Sequence, residues 1–184
     1  MFDKLILGRD VYHIVMWFLV YSILGWVVES VYISICNKKL TNRGFSRGPL
    51  CPIYGVGALT VYFILYPYSH NRVLLFLLGA ILATLIEWIT ACIMQKLFGE
   101  VWWDYHDKPL NYKGILCLES TIAWGFYTLI LFGVLQNFVE RIVETIPRRI
   151  GEFAGVIIIS VYLLDFLTIF FREKRKNLEL KRRK

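Results

Sequence analysis

Apolar residues in this chain of 184 gather into long runs separated by short polar breaks. Five runs can be marked by their length and flanking breakers, at about residues 12 to 36, 50 to 69, 73 to 97, 115 to 138 and 150 to 171. Several reach the ~20 residues that about 30 Å of hydrocarbon demands, and a bilayer core offers no water to satisfy an open backbone. The pattern predicts an all-α, polytopic helical membrane protein with about five transmembrane helices. Pro67 and Ser69-His70-Asn71 supply the turn between the second and third runs. Pro147 precedes the fifth, and the charge on Val139 to Arg149 predicts a short interfacial helix.

The first and third runs resemble each other. Phe18 to Lys39 can be laid on Phe76 to Leu97 at an offset of 58, which puts Glu29 on Glu87 and Lys38 on Lys96. After an insertion of eight in the second loop, Gly48-Pro-Leu-Cys51 falls on Gly114-Ile-Leu-Cys117. A duplication would give two parallel units of helix, loop, helix plus one extra helix, with both loops facing one cytoplasmic vestibule. Chance similarity between two membrane helix pairs is the competing reading.

Composition sharpens the class. With 57% hydrophobic and 19% charged residues, against about 45–50% and about 25% in soluble domains, the chain is not a soluble enzyme, a disordered tail or a disulfide-stapled secreted module. Its net charge of +7 is concentrated after the last apolar run, from Arg172 to Lys184. Such a run marks a cytoplasmic end rather than a nucleic-acid surface, so residues 1–171 are read as one transmembrane domain and 172–184 as a basic cytoplasmic tail. Five spans place 15 Lys and Arg on the tail's side and 6 on the other, which predicts an outside N-terminus in a bacterial-type cell membrane. Without the tail the count is 7 against 6, so the orientation leans on the tail and on the number of spans. No removable signal peptide is expected, since no small-residue cleavage site follows the first run.

Glu29 and Glu87 lie inside apolar runs, where a carboxylate costs a few kcal/mol unless paired, protonated or hydrated. They mark either a pathway or a hydrogen bond that joins helices; Asp165 in the fifth run is a third such acid. Helical spacing sets Ser22, Gly25, Glu29, Tyr32 and Cys36 on one face, and Ala80, Thr84, Glu87 and Ala91 on another, so both acids should point into the bundle. In the first loop, Asn42, Arg43 and Arg47 lead into Cys51 and a helix start, a combination that favours an anion or simply a positive-inside turn. The second loop carries Trp102, Trp103, Asp104, Tyr105 and Asn111; its indoles suit an interfacial belt, and Asp104 could pair with Arg43 or Arg47. Cys51 and Cys117 near helix starts are candidate nucleophiles or small core residues. The spacing of cysteines and histidines gives no zinc site, no cofactor is implied, and no nucleotide-hydrolysis motif is present.

At these loops the chain resembles a bacterial membrane family, the CmpB-like or type IV ABC-transporter permeases. The matching pieces are Gly25-Trp26 with Glu29-Ser30, Asn42-Arg-Gly-Phe45, Gly48-Pro49 and Cys51-Pro-Ile-Tyr54 with Gly55-Val-Gly-Ala58. Further on come Glu87, Phe98-Gly99, Trp102-Trp-Asp-Tyr105, Asn111, Gly114, Cys117-Leu-Glu-Ser120 and Trp124-Gly125. Ser46 and His106 depart from the pattern, and the tail lies outside it. The resemblance adds Tyr54, Glu119 and Ser120 to the candidate binding or pathway residues but assigns no substrate and no catalytic group. It implies a permease subunit working with a separate ATPase and as a homodimer, because five spans are fewer than the six of an exporter half. The alternatives are a membrane-embedded enzyme acting on a lipid or isoprenoid-linked phosphate at the cytoplasmic face, and a scaffold subunit without turnover.

Overall fold

The computed structural model describes residues 5–6, 9–42 and 48–182. Arg43 and Arg47, two of the candidate site residues, lie outside them. The described helices are α1 (Val11–Asn37), α2 (Pro52–Leu65), α3 (Arg72–Phe98), α4 (Leu118–Ile130), α5 (Gln136–Thr145) and α6 (Arg148–Arg182). Two short antiparallel ladders accompany them: β1 (Leu5–Ile6) pairs with β2 (Arg9–Asp10), and β3 (Asn111–Tyr112) with β4 (Leu116–Cys117). The protein is thus an all-α, multi-pass membrane fold.

Four described helices are long and apolar enough to cross a bilayer: Val11–Asn37, Arg72–Phe98, Leu118–Thr145 and Arg148–Arg172. The third of these joins α4 to α5 through a π-helical turn, Leu131–Leu135, so the expected interfacial helix is a continuation of a span and not a separate piece. The second apolar run forms a shorter helix than the other four. Its helix has only 14 residues, about 21 Å, and ends in a 3₁₀ turn, Tyr66–Tyr68, around Pro67. Pro52 fixes its start and Pro67 tightens its end, which leaves it shorter than the ~30 Å hydrocarbon core.

The chain divides into two compact units, one formed by Met1–Leu59 with Asn137–Ile169 and the other by Thr60–Gln136 with Phe170–Lys184. In the first unit the start of α1 is tied to the start of α6. Asp10 caps α1 by accepting the His13 amide at 2.9 Å, and its other oxygen accepts from Arg148 at 2.9 Å. The Arg148 guanidinium also lies over the Tyr12 ring and donates to Glu152 at 3.0 Å. Arg9 pairs with Glu140 of α5 at 3.0 Å and stacks over Trp17, which is fully buried. Val139 and Val143 supply the buried side of α5 at helical spacing.

Burial pushes the Asp10 carboxyl up, but the amide and ring of His13 and the Arg148 guanidinium together hold it below the ordinary carboxylate range. An acid depressed in this way stabilises the fold above its unfolded pKa of about 3.9, and that contribution is lost as pH falls through the folded value. Acidification below about pH 4 should therefore loosen this clasp. In detergent-solubilised protein, the difference in thermal stability between the native chain and Asp10→Asn is expected to shrink between pH 6 and pH 3; a constant difference would contradict the assignment.

Candidate functional site: two helix glutamates and their donors

In the second unit α3 and α4 lie side by side and antiparallel. Phe76 faces Gly125, Gly79 faces Thr128, and the hydroxyls of Thr84 and Thr121 are 3.1 Å apart. A β-carbon on Gly79 or Gly125 would run into those neighbours, so the small residues set how closely the helices approach. This register puts the Trp124 indole N–H of α4 at 3.0 Å from Glu87 Oε2. Glu87 is 5% exposed, and Ala80 and Ala91 on the same face are buried, as the spacing predicts.

The other oxygen of Glu87 is reached from the loop. Gly99 ends α3 in the left-handed region at φ 82°, and the chain then folds into a small cap between α3 and α4. Trp103 Nε1 donates to the Ile115 carbonyl at 2.8 Å, and the Tyr105 amide to the Gly114 carbonyl at 2.8 Å. Asn111 closes the turn: its amide nitrogen donates to the carbonyls of Lys108 and His106 at 2.9 and 3.1 Å, and its oxygen accepts the Gly114 N–H at 3.1 Å. Gly114 is required at φ 67°, with the His106 ring against the space a side chain would fill. Held by these bonds, Tyr105 donates its hydroxyl to Glu87 Oε1 at 3.0 Å. Glu87 therefore accepts from a loop phenol and a helix indole at once.

The first unit meets the same demand with different parts. Tyr54 of α2 donates its hydroxyl to Glu29 Oε1 at 2.9 Å, and its ring lies where a β-carbon of Gly25 would be. Gly55 sits equally close to Phe18 and Ser22. The Cys51 amide donates to the Ser22 carbonyl at 3.0 Å, so α2 begins beside the middle of α1. This corrects the expected stripe on α1. Ser22 and Gly25 are buried, but Tyr32 is 60% exposed and Cys36 is exposed, because α1 extends past the start of α2.

The remaining candidates fall outside these glutamate contacts. Asp104 is 72% exposed at its side chain and bonds to the amide and ring of His106, which hold its carboxyl below the usual range. Glu119 pairs with Lys108 at 2.9 Å on the surface of the cap. Asn42 accepts the Trp26 indole N–H at 2.6 Å. Cys117 is buried and caps α4 through its sulfur, which accepts the Ser120 amide at 3.3 Å, while Ser120 Oγ donates back to the Cys117 carbonyl at 2.9 Å. These bonds occupy the Cys51 and Ser120 amides on which an anion site at the two helix starts would draw. Among the described residues no cluster of His, Cys, Asp and Glu could hold a metal ion. Trp124, which the residue pattern alone left among the family motifs, is the donor that sequence reasoning missed as a site residue; only the α3 to α4 register reveals it.

Fold and site together define a multi-pass helical membrane protein with carboxylates held inside its long helices. Residues 16–170 match the family described as putative ABC-transporter type IV, and the chain belongs to that family, which makes it a transporter-related membrane subunit. No curated protein and no solved structure matches it significantly.

The hydrogen-bond geometry gives a direct expectation. Tyr105→Phe removes one donor from a buried carboxylate and should cost about 1–3 kcal/mol. Tyr112→Phe, on an exposed ring of the same loop, should cost almost nothing. Chemical or thermal unfolding in detergent measures both, and equal effects would contradict the role given to Tyr105.

Proposed function

We propose that the chain is the permease-like membrane subunit of an ABC-type transporter, with Glu87 on the path of its cargo. The observation that supports the reading is a carboxylate near the middle of a 27-residue apolar helix, bonded both to a neighbouring helix and to a loop outside the spans. A polar group at that depth is costly, and transport is the use that most directly repays it. Tyr105 links Glu87 to the loop between Gly99 and Cys117, so a movement of that loop shifts the donors around the carboxylate. Alternating the donors changes what Glu87 can offer a polar or cationic group in the path.

The energy source in this reading is a separate cytoplasmic ATPase that engages the loops between about residues 37 and 49 and between 100 and 113. The basic tail and both loops then face the cytoplasm, and a second copy of the chain completes the translocating unit. Trp103, through its bond to Ile115, keeps the second loop in the shape the ATPase meets. Glu29, with Tyr54, is a second polar position on the path.

Recovery of the tagged chain from native membranes in mild detergent, followed by ATP-hydrolysis measurements, tests this reading. An ATPase should co-purify, and the chain alone should hydrolyse nothing. Glu87→Gln should leave the complex and its thermal stability intact while changing ATP turnover in proteoliposomes by tenfold or more. Trp103→Ala should lower recovery of the ATPase. Absence of any co-purifying ATPase, together with phosphate release from a lipid-linked phosphate by the chain alone, would replace the transporter reading with the enzymatic one.

A further inference from the structure

The part of α1 that extends beyond α2 carries a groove of about 790 Å³. One wall is α1 from Trp26 to Ile35; the other is the segment Lys38 to Asn42, which turns back along the helix. The turn is made by Lys38, in the left-handed region at φ 50°, and by the Lys39 amide, which bonds to the Ser34 carbonyl at 3.2 Å. Two further bonds hold the returning segment in place. The Thr41 amide donates to Ser34 Oγ at 2.9 Å, and the Trp26 indole donates to Asn42 at 2.6 Å. The groove is therefore built by hydrogen bonds and is not a gap between loose side chains.

Its chemistry is graded along its length. Val27, Val31 and Ile35 line the helix wall and remain exposed, and Leu40 adds an apolar lip. Lys38 and Lys39 stand at the end where α1 leaves its apolar stretch, and among the described residues the lining holds no carboxylate. An apolar slot along a membrane helix, with two lysines where the apolar stretch ends, matches an amphiphile with a negative head and a hydrocarbon chain. We infer that this groove is a binding site for one anionic glycerophospholipid of the surrounding bilayer, with the phosphate against Lys38 and Lys39 and an acyl chain along Val27, Val31 and Ile35. Ser30, between Val27 and Val31 in the chain, also lines the groove. The order of charge agrees with this placement, because lysines at the end of a membrane helix meet anionic headgroups.

The groove shares Lys38 to Asn42 with the loop that the transport reading gives to the ATPase, so lipid retention is measured on the chain alone, where failure of either reading leaves the other testable. Native mass spectrometry of the full chain, incubated in detergent with phosphatidylglycerol or phosphatidylcholine, tests it. The native chain should retain one phosphatidylglycerol in clear preference to phosphatidylcholine. Lys38→Gln with Lys39→Gln should weaken that binding about 30-fold, the effect of two lysines at a membrane surface. Val31→Trp, which fills the slot and leaves both charges, should also abolish it. Arg149→Gln, at the other end of the helices, should leave it unchanged. Equal retention of the two lipids, undiminished binding by the double lysine variant, or displacement of the lipid by free glycerol phosphate would each overturn the assignment.

Discussion

A carboxylate placed in an apolar helix must find hydrogen-bond donors, and the structure around Glu87 is organised by that demand. One donor comes from the neighbouring helix, which fixes the register of α4 on α3 and requires the close approach that Gly79 and Gly125 permit. The other comes from the loop, and a phenol can be delivered to that depth only by a loop with defined internal bonds. The ladder of β3 and β4, the turn closed by Asn111 and the left-handed residues Leu110, Lys113 and Gly114 supply those bonds. Removing the loop's shape would therefore remove a donor from Glu87. The Glu87 carboxylate and the cap are joined through the Tyr105 bond for this reason.

Glu29 shows the same constraint met by other means. Its phenol arrives on a helix, and Gly25 makes room for the ring. For Tyr54 to reach Glu29, α2 has to start beside the middle of α1, which the Cys51 to Ser22 bond secures. The shortness of α2 and the exposed outer end of α1 follow from that starting point. The groove along Trp26 to Ile35 is a further consequence, since it lies on the part of α1 beyond the start of α2. The two units thus share a long helix with a glutamate and a tyrosine donor, but Tyr54 and Tyr105 do not occupy matching places in the repeated sequence.

The all-α membrane class and the inward position of Glu87 were legible in the sequence because each follows from local hydrophobic runs or helical spacing, and four of the five apolar runs marked there are long helices. Proline positions around the second apolar run were visible too, but their combined effect on its length depends on where α2 begins against α1. The same limit applies to Trp124 and Tyr105. Indole and phenol residues near span ends commonly sit at the membrane interface, and only the tertiary register shows that these two reach one carboxylate. Asp104 stood out by its charge among aromatics and Glu119 came with the family resemblance, yet charge at a loop surface finds local partners such as His106 and Lys108. The run from Trp102 to Tyr105 folds into the cap and brings the Tyr105 hydroxyl to Glu87.

The most direct test of the link between Glu87 and the cap is amide hydrogen exchange across residues 99–117 in the native chain, Glu87→Gln and Glu87→Ala. Glutamine keeps an acceptor for Trp124 and can donate to the Tyr105 oxygen, so the account expects native-like protection of the Tyr105, Lys108, Gly114 and Ile115 amides in that variant. Alanine removes both bonds, and exchange across the cap should rise by about tenfold or more, the effect of losing ~1.4 kcal/mol of local stability. Unchanged protection in Glu87→Ala would show that the cap folds without the carboxylate and would contradict the account.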